Sequence, residues 1–214
     1  MNILITSAGR RVSLVKAFIN AAKKLNTKSK VFITDLNPNR MSSASFFADK
    51  SFKIGFFSDS NYVSDLLKIC RDNKVGIIIP TIDTELLLYS KSKHFFEEHG
   101  IQIIVSEIEL IKTLRNKIMT NNFFNNLNIN TPTIYNKKNL VFPVFLKPLD
   151  GSNSNGIYKA DNINEIKPSD LDSTNMMILE NIDCKFYDEY TVDLYYDKSS
   201  SLKCVVPRIR LKVV

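Results

Sequence analysis

The sequence predicts an α/β protein in two parts, a parallel sheet covered by helices on both faces and then an α+β domain. Three observations predict it. Up to Val105, short β-rich apolar runs alternate with helical periodicities. Those runs are apolar throughout, as in strands buried on both faces, and do not alternate apolar with polar. Beyond Ser106, strand signals follow one another without long helices between them. The expected domains are therefore residues 1–106 and 107–214.

Taken in order, Ile3–Thr6 reads as a strand ending at Ser7-Ala8-Gly9, after which Val12, Leu14, Val15, Phe18 and Ala22 recur at helical spacing. Val31–Thr34 is a second strand, ending in Asp35, and Phe52–Ile54 a third. Tyr62–Cys70 reads as a helix, Val75–Pro80 as a buried strand, Thr84–His99 as a long helix and Ile101–Val105 as a strand. In the second part, helices are expected over Glu107–Leu114 and Asn116–Leu127. Strands follow at Val141–Lys147, Gly156–Lys159, Met176–Glu180, Tyr190–Asp197 and Leu202–Pro207. Asp197-Lys198-Ser199-Ser200-Ser201 is the turn of a hairpin.

The 214 residues are 44% hydrophobic and 24% charged, a composition that supports real cores. The first apolar run, in MNILITSAGRR, is far shorter than a signal core or a membrane span, so a cytoplasmic protein with no membrane partner is expected. The net charge of +7 is carried by scattered lysines, with no basic run interleaved with aromatics, and no nucleic-acid partner is expected. Cys70, Cys184 and Cys204 lack metal-ligand spacing and read as structural, and no metal ligand can be assigned.

The most informative stretch is Phe142-Pro143-Val144-Phe145-Leu146-Lys147-Pro148, followed by Asp150-Gly151-Ser152-Asn153-Ser154-Asn155-Gly156-Ile157. A buried strand delivers a lysine to its end and opens into a loop of small residues. Gly151, Ser152, Asn153, Ser154 and Gly156 would let backbone N–H groups approach an anion, with the serine hydroxyls as further donors. Lys147 would supply charge to the same phosphates. A flexible hairpin turn uses the same residue types, but the chain has only six glycines.

FPVFLKPLDGSNSNGI resembles the phosphate-binding strand and loop of ATP-grasp proteins, especially those similar to the carbamoyl phosphate synthase large subunit. The resemblance extends along the chain. It implies a Rossmann-like pre-ATP-grasp domain followed by an ATP-grasp domain that lacks its C-terminal part. Asn116-Lys117 stands where the family has Asp-Lys or Asp-Arg opening a helix, which makes Lys117 a second cationic nucleotide contact. Ile178-Leu179-Glu180-Asn181-Ile182 resembles the strand beside adenine, so backbone groups near Leu179 and the Glu180 carboxylate would border the base. Glu189-Tyr190-Thr191-Val192-Asp193 resembles the stretch whose glutamate accepts from the ribose hydroxyls, here Glu189. Asp183–Asp188 replaces a shorter link.

In the first part, Thr6–Arg11, Thr34–Pro38 and Ile79–Leu86 all lie where strands end, the edge at which open parallel sheets bind ligands. Gly9, Arg10, Asp83 and Glu85 are the candidate contacts to a substrate. Asp83 and Glu85 would equally serve as helix N-terminal acids. Arg208 and Arg210 share a strand face, where one could meet phosphate or both could equally be exposed strand arginines.

The resemblance implies ATP and Mg²⁺ as cofactors, with the metal ligands in a segment beyond Val214. It also implies a ligase joining a small carboxylate to an amine through an acyl phosphate, inactive without that segment. A non-catalytic nucleotide sensor or subunit is the alternative, and a homodimer or a partner subunit stays open.

Overall fold

The computed structural model describes residues 1–37, 42–149 and 156–211. It divides into two compact units, Met1–Arg115 and Asn116–Val214.

The first unit alternates strand and helix: β1 (Asn2–Ile5), α1 (Val12–Lys24), β2 (Val31–Asp35), β3 (Lys50–Lys53), α2 (Tyr62–Asp72), β4 (Val75–Ile79), α3 (Leu86–Glu97), β5 (Gln102–Ile103) and α4 (Ile108–Arg115). The five strands pair in parallel in the order β3-β2-β1-β4-β5. Successive strand residues point to opposite faces. Leu4, Phe32 and Ile78 accordingly pack with Tyr62, Leu66 and Cys70 of α2 and Tyr89 and Phe96 of α3. Ile5, Val31 and Ile33 pack with Val15 of α1 on the other face. Burial on both faces is why these strands read as unbroken apolar runs.

The expected boundary at Ser106 falls short of the observed one. α4 packs on α3, and two contacts hold it there: Lys93 pairs with Glu107, and Arg115 Nη1 donates to the Asp83 carbonyl at 3.0 Å. Both partners lie in the first unit, so α4 belongs to it.

The second unit opens with α5 (Lys117–Asn126) and continues through β6 (Val144–Pro148), β7 (Tyr158–Ala160), α6 (Pro168–Asp172) and β8 (Met176–Glu180). Asn116 caps α5, its Oδ1 accepting from the N–H groups of Ile118 and Met119, both at 3.0 Å. β6 is the middle strand of an antiparallel sheet ordered β7-β6-β8. α6 was not legible in the sequence, being five residues opened by Pro168. Tyr158 fastens it to β7 by donating to Asp170 at 2.7 Å.

The chain closes with an antiparallel ribbon of β9 (Tyr190–Tyr196) and β10 (Leu202–Ile209). Its register sorts the side chains. Tyr190, Val192, Leu194 and Tyr196 share one face with Ile209, Pro207, Val205 and Leu202, whereas Thr191 and Asp193 share the other with Arg208 and Val206. The apolar face is half open, Tyr190 and Ile209 being exposed to 56% and 45%. Asp197 closes the turn, accepting at Oδ1 from the N–H groups of Ser199 and Ser201.

Candidate functional site

The site in the second unit follows from the alternation along β6. Val144 and Leu146 are fully buried and pack with Ala160, Ile166 and Ile178 on one face of the sheet. Phe145 and Lys147 must then project from the other. Cross-strand pairing sets Lys159 of β7 and Leu179 of β8 on either side of Phe145, making a row across three strands. Above this row lies a cavity of about 620 Å³, closed by Pro132, by Glu180 at the end of β8 and Asn181–Lys185 after it, and by Glu189 before the ribbon. Its floor is apolar and its walls carry charge, a composition suited to a ligand with a flat apolar part and an ionic part.

Electrostatics give the cavity its sign. Desolvation lowers the pKa of the half-buried Lys147, and the charge of Lys117 lowers it further. Lys117 donates its ammonium to the Pro148 carbonyl, at the end of β6 where Lys147 sits. Among the described residues neither ammonium is paired with a carboxylate. Two cations so placed are an unsatisfied arrangement that an anion would relieve.

Of the residues the sequence points to for a nucleotide, Lys147, Leu179, Glu180 and Glu189 line this one cavity. Lys117 stands beside it through Lys147 and Pro148. Gly151, Ser152, Asn153 and Ser154 lie outside the described residues, and Gly156 follows them with a φ of +71°.

Four side chains differ from expectation. Glu180 pairs with Val144, so its side chain leaves the sheet on the core-facing side, where Oε2 accepts from Thr133 N and Oγ1, each at 3.1 Å. Arg208 and Arg210 are paired with acids, Asp193 at 2.5 Å and Glu189 at 2.6 Å. Cys184 is exposed and lines the cavity, so it has no place in the core. Pro132, Phe145, Lys159, Asn181, Ile182, Asp183, Cys184 and Lys185 are the lining residues that sequence reasoning missed. Phe145 had a signal, lying two residues from Lys147 on one strand. Lys159 had none, because its place depends on pairing with a strand twelve or more residues away.

The first unit holds a second concavity of about 510 Å³ at the carboxyl ends of β1, β2 and β4, lined by Ser7, Gly9, Arg10, Arg11, Asp35, Leu36 and Ile82. It lies where β1 and β4 diverge in strand order, the place at which open parallel sheets take ligands. Gly9 lies close under Asp35: a Cβ there would sit 2.0 Å from Asp35 Oδ2, so that carboxylate would have to shift. Arg11 donates to the Thr81 carbonyl at 3.2 Å, while Arg10 is exposed and has no partner among the described residues.

The two acids expected beside Gly9 and Arg10 take different places. Asp83 faces Arg115 at 4.0 Å. Glu85 is only 3% exposed and accepts from Ser7 Oγ at 2.5 Å and from Thr6 Oγ1 at 3.4 Å, so it reaches the concavity only through Ser7. Burial raises its pKa, against the lowering effect of those hydroxyls and of Tyr89 and Tyr62.

Among the described residues no three His, Cys, Asp or Glu side chains come together as a metal site. No described helix is long and apolar enough to cross a membrane.

Comparison with known proteins bears on both units. Residues 3–104 match the family model described as PylC-like, N-terminal domain. No curated protein matches the chain. Among solved structures, L-amino acid ligase from Bacillus licheniformis aligns with 97% of this chain and 48% of its own, at 14% identity and a TM-score of 0.63. The biotin carboxylase domain of Hydrogenobacter thermophilus 2-oxoglutarate carboxylase, a dimer in complex with MgADP, ADP and bicarbonate, aligns with 96% and 48%, at 16% identity and 0.68. Campylobacter jejuni biotin carboxylase, in a β-γ-ATP complex, aligns with 94% and 49%, at 14% identity and 0.69. The chain thus has the fold of the ATP-grasp carboxylases and ligases and spans about half the length of those it matches.

Proposed function

We propose that the cavity of the second unit binds ATP, and that the chain carries the nucleotide-binding part of a carboxylate–amine ligase working through an acyl phosphate. One observation carries this reading: Lys147, half-buried and without a carboxylate partner among the described residues, shares the end of β6 with a second ammonium from Lys117. A polyphosphate is the ligand that satisfies both. In this reading Gly151, Ser152, Asn153, Ser154 and Gly156 supply phosphate donors, Leu179 and the Glu180 backbone border adenine, and Glu189 meets the ribose.

Such a ligase transfers the terminal phosphoryl group of ATP to a carboxylate, and an amine then displaces phosphate from the acyl phosphate. Magnesium would neutralise charge during the transfer, and residues outside the described part would hold it. The first-unit concavity, with Gly9 and Arg10 and with Asp83 at its edge, would hold the small carboxylate or amine. Glu85 would steady Ser7 from below. The finer likeness, to the carbamoyl phosphate synthase large subunit, is supported by the two sequence stretches around Lys147 and Glu189. A homodimer or a partner subunit and a cytoplasmic setting accord with this reading.

Calorimetric titration with ATP tests it. Lys147→Ala should weaken binding ten- to a hundredfold, the equivalent of about 1.5–3 kcal/mol for a charged hydrogen bond. Unchanged affinity overturns the assignment. The alternative is a nucleotide sensor or subunit that uses the same cavity and performs no chemistry. Trapping of acyl phosphate with hydroxylamine across a panel of carboxylates separates the two, because turnover eliminates the sensor.

A further inference from the structure

We propose that Arg210 is a positioning residue that holds Glu189 for a ribose diol and so makes the cavity select ribonucleotides over deoxyribonucleotides. The inference rests on the nucleotide reading above and adds a residue to it.

Glu189 lines the cavity at the foot of the ribbon, with its side chain 51% exposed. A glutamate so exposed has three rotatable bonds and several near-equal rotamers. The same cavity contains Lys147, Lys159 and Lys185. Lys159 is already paired with Asp161 at 2.6 Å, but among the described residues Lys147 and Lys185 have no carboxylate. An untethered Glu189 would turn towards them and neutralise the charge that phosphate needs.

Arg210 prevents this with two bonds. Its Nη1 donates to Glu189 Oε1 at 2.6 Å, and its backbone N–H donates to the Glu189 carbonyl at 2.8 Å. The backbone bond extends the ladder one step past the Tyr190–Ile209 pair, so the guanidinium projects from a fixed point and not from a loose end. The short charge-assisted bond then sets the carboxylate plane. It occupies one oxygen. Oε2 has no partner among the described residues and is left to accept from a hydroxyl. The neighbouring Arg208–Asp193 pair, 2.5 Å apart on the same face, occupies the next acid of the ribbon in the same way, leaving Glu189 as the ribbon's carboxylate at the cavity, where Glu180 is held by Thr133 and Asp183 by the Lys185 N–H.

As an exposed ion pair, Arg210–Glu189 contributes little to stability. Its effect lies in orientation, and a ligand lacking a hydroxyl at the ribose is the probe for it. Calorimetric titrations of the wild type, Arg210→Ala and Arg210→Lys with ATP and 2′-deoxy-ATP make the test. The wild type should bind ATP about tenfold more tightly than 2′-deoxy-ATP, a difference of about 1.4 kcal/mol. In Arg210→Ala that preference should fall to about twofold, with 2′-deoxy-ATP bound as before, and Arg210→Lys should retain part of it. Equal weakening of both nucleotides means that Arg210 meets phosphate directly and overturns the proposal, as does a preference unchanged in Arg210→Ala. A wild type that binds ATP without preferring it over the deoxy form overturns the proposal alone. One that binds neither overturns the nucleotide reading together with it.

Discussion

Lys117 lowers the pKa of Lys147, and both ammonium groups gather at the end of β6 without a carboxylate from the described residues between them. Desolvation is the larger cause of the shift and the neighbouring cation the smaller. A protein gains nothing in stability from such a pair, because its burial and repulsion both oppose the charged form. The arrangement makes sense as an anion site kept ready.

A pH dependence follows from that pair. Lys147 must be charged to hold phosphate, and it loses its proton below the ordinary lysine range. ATP affinity should therefore hold at neutral pH and decline on the alkaline side earlier than an exposed lysine would dictate. Lys117→Met removes the repulsion, so its decline should begin at higher pH although its affinity is lower throughout. Calorimetry across the alkaline range checks this, and identical midpoints in the two proteins refute it.

Glu85 gives stability the opposite kind of link to pH. Its folded pKa is raised above the unfolded value, so the favourable contribution of the protonated acid is complete below the unfolded pKa and is lost as pH rises through the folded one. Thermal midpoints of the wild type should fall across that window relative to those of Glu85→Gln, which does not titrate there. A constant difference between the two proteins from acid to neutral pH would count against the buried-carboxylate account.

Gly9→Ala should destabilise the first unit by no more than about 1 kcal/mol, because the added Cβ would lie 2.0 Å from Asp35 Oδ2 and need displace only the end of that flexible side chain. In an Asp35→Ala background the same change should cost much less. Denaturant titration of the four proteins of this cycle measures the coupling, and additive effects would show that the clash is not the source of the cost.

Asn116→Ala removes an acceptor shared by two N–H groups at the start of α5 and should cost about 1 kcal/mol. Asn116→Asp should keep the cap and add a favourable interaction with the helix dipole. Loss of the midpoint in both variants alike would mean that the side chain is used for something other than capping.

The element order was legible because it depends on local signals. Met176–Glu180 reads the same in sequence and structure, since a short continuous apolar run ending in an acid is what a strand packed on a buried core looks like. The cap at Asn116 was legible for the same reason, its bonds reaching only two and three residues along the chain. α6 was not, because five residues carry no helical period and its place depends on Tyr158.

Residue identity by itself determined that a lysine would stand at the end of a buried strand and that a glutamate would precede a ribbon. Whether their charges remain available was decided by tertiary structure. Strand pairing sets Lys159 beside Phe145 and turns Glu180 towards Thr133, and the ribbon's return brings Arg210 to Glu189 across twenty-one positions of chain. The physical reason is range. Strand propensity, capping and periodicity act over a few residues, whereas a charge finds its partner through space, and only the folded register says which partner is near.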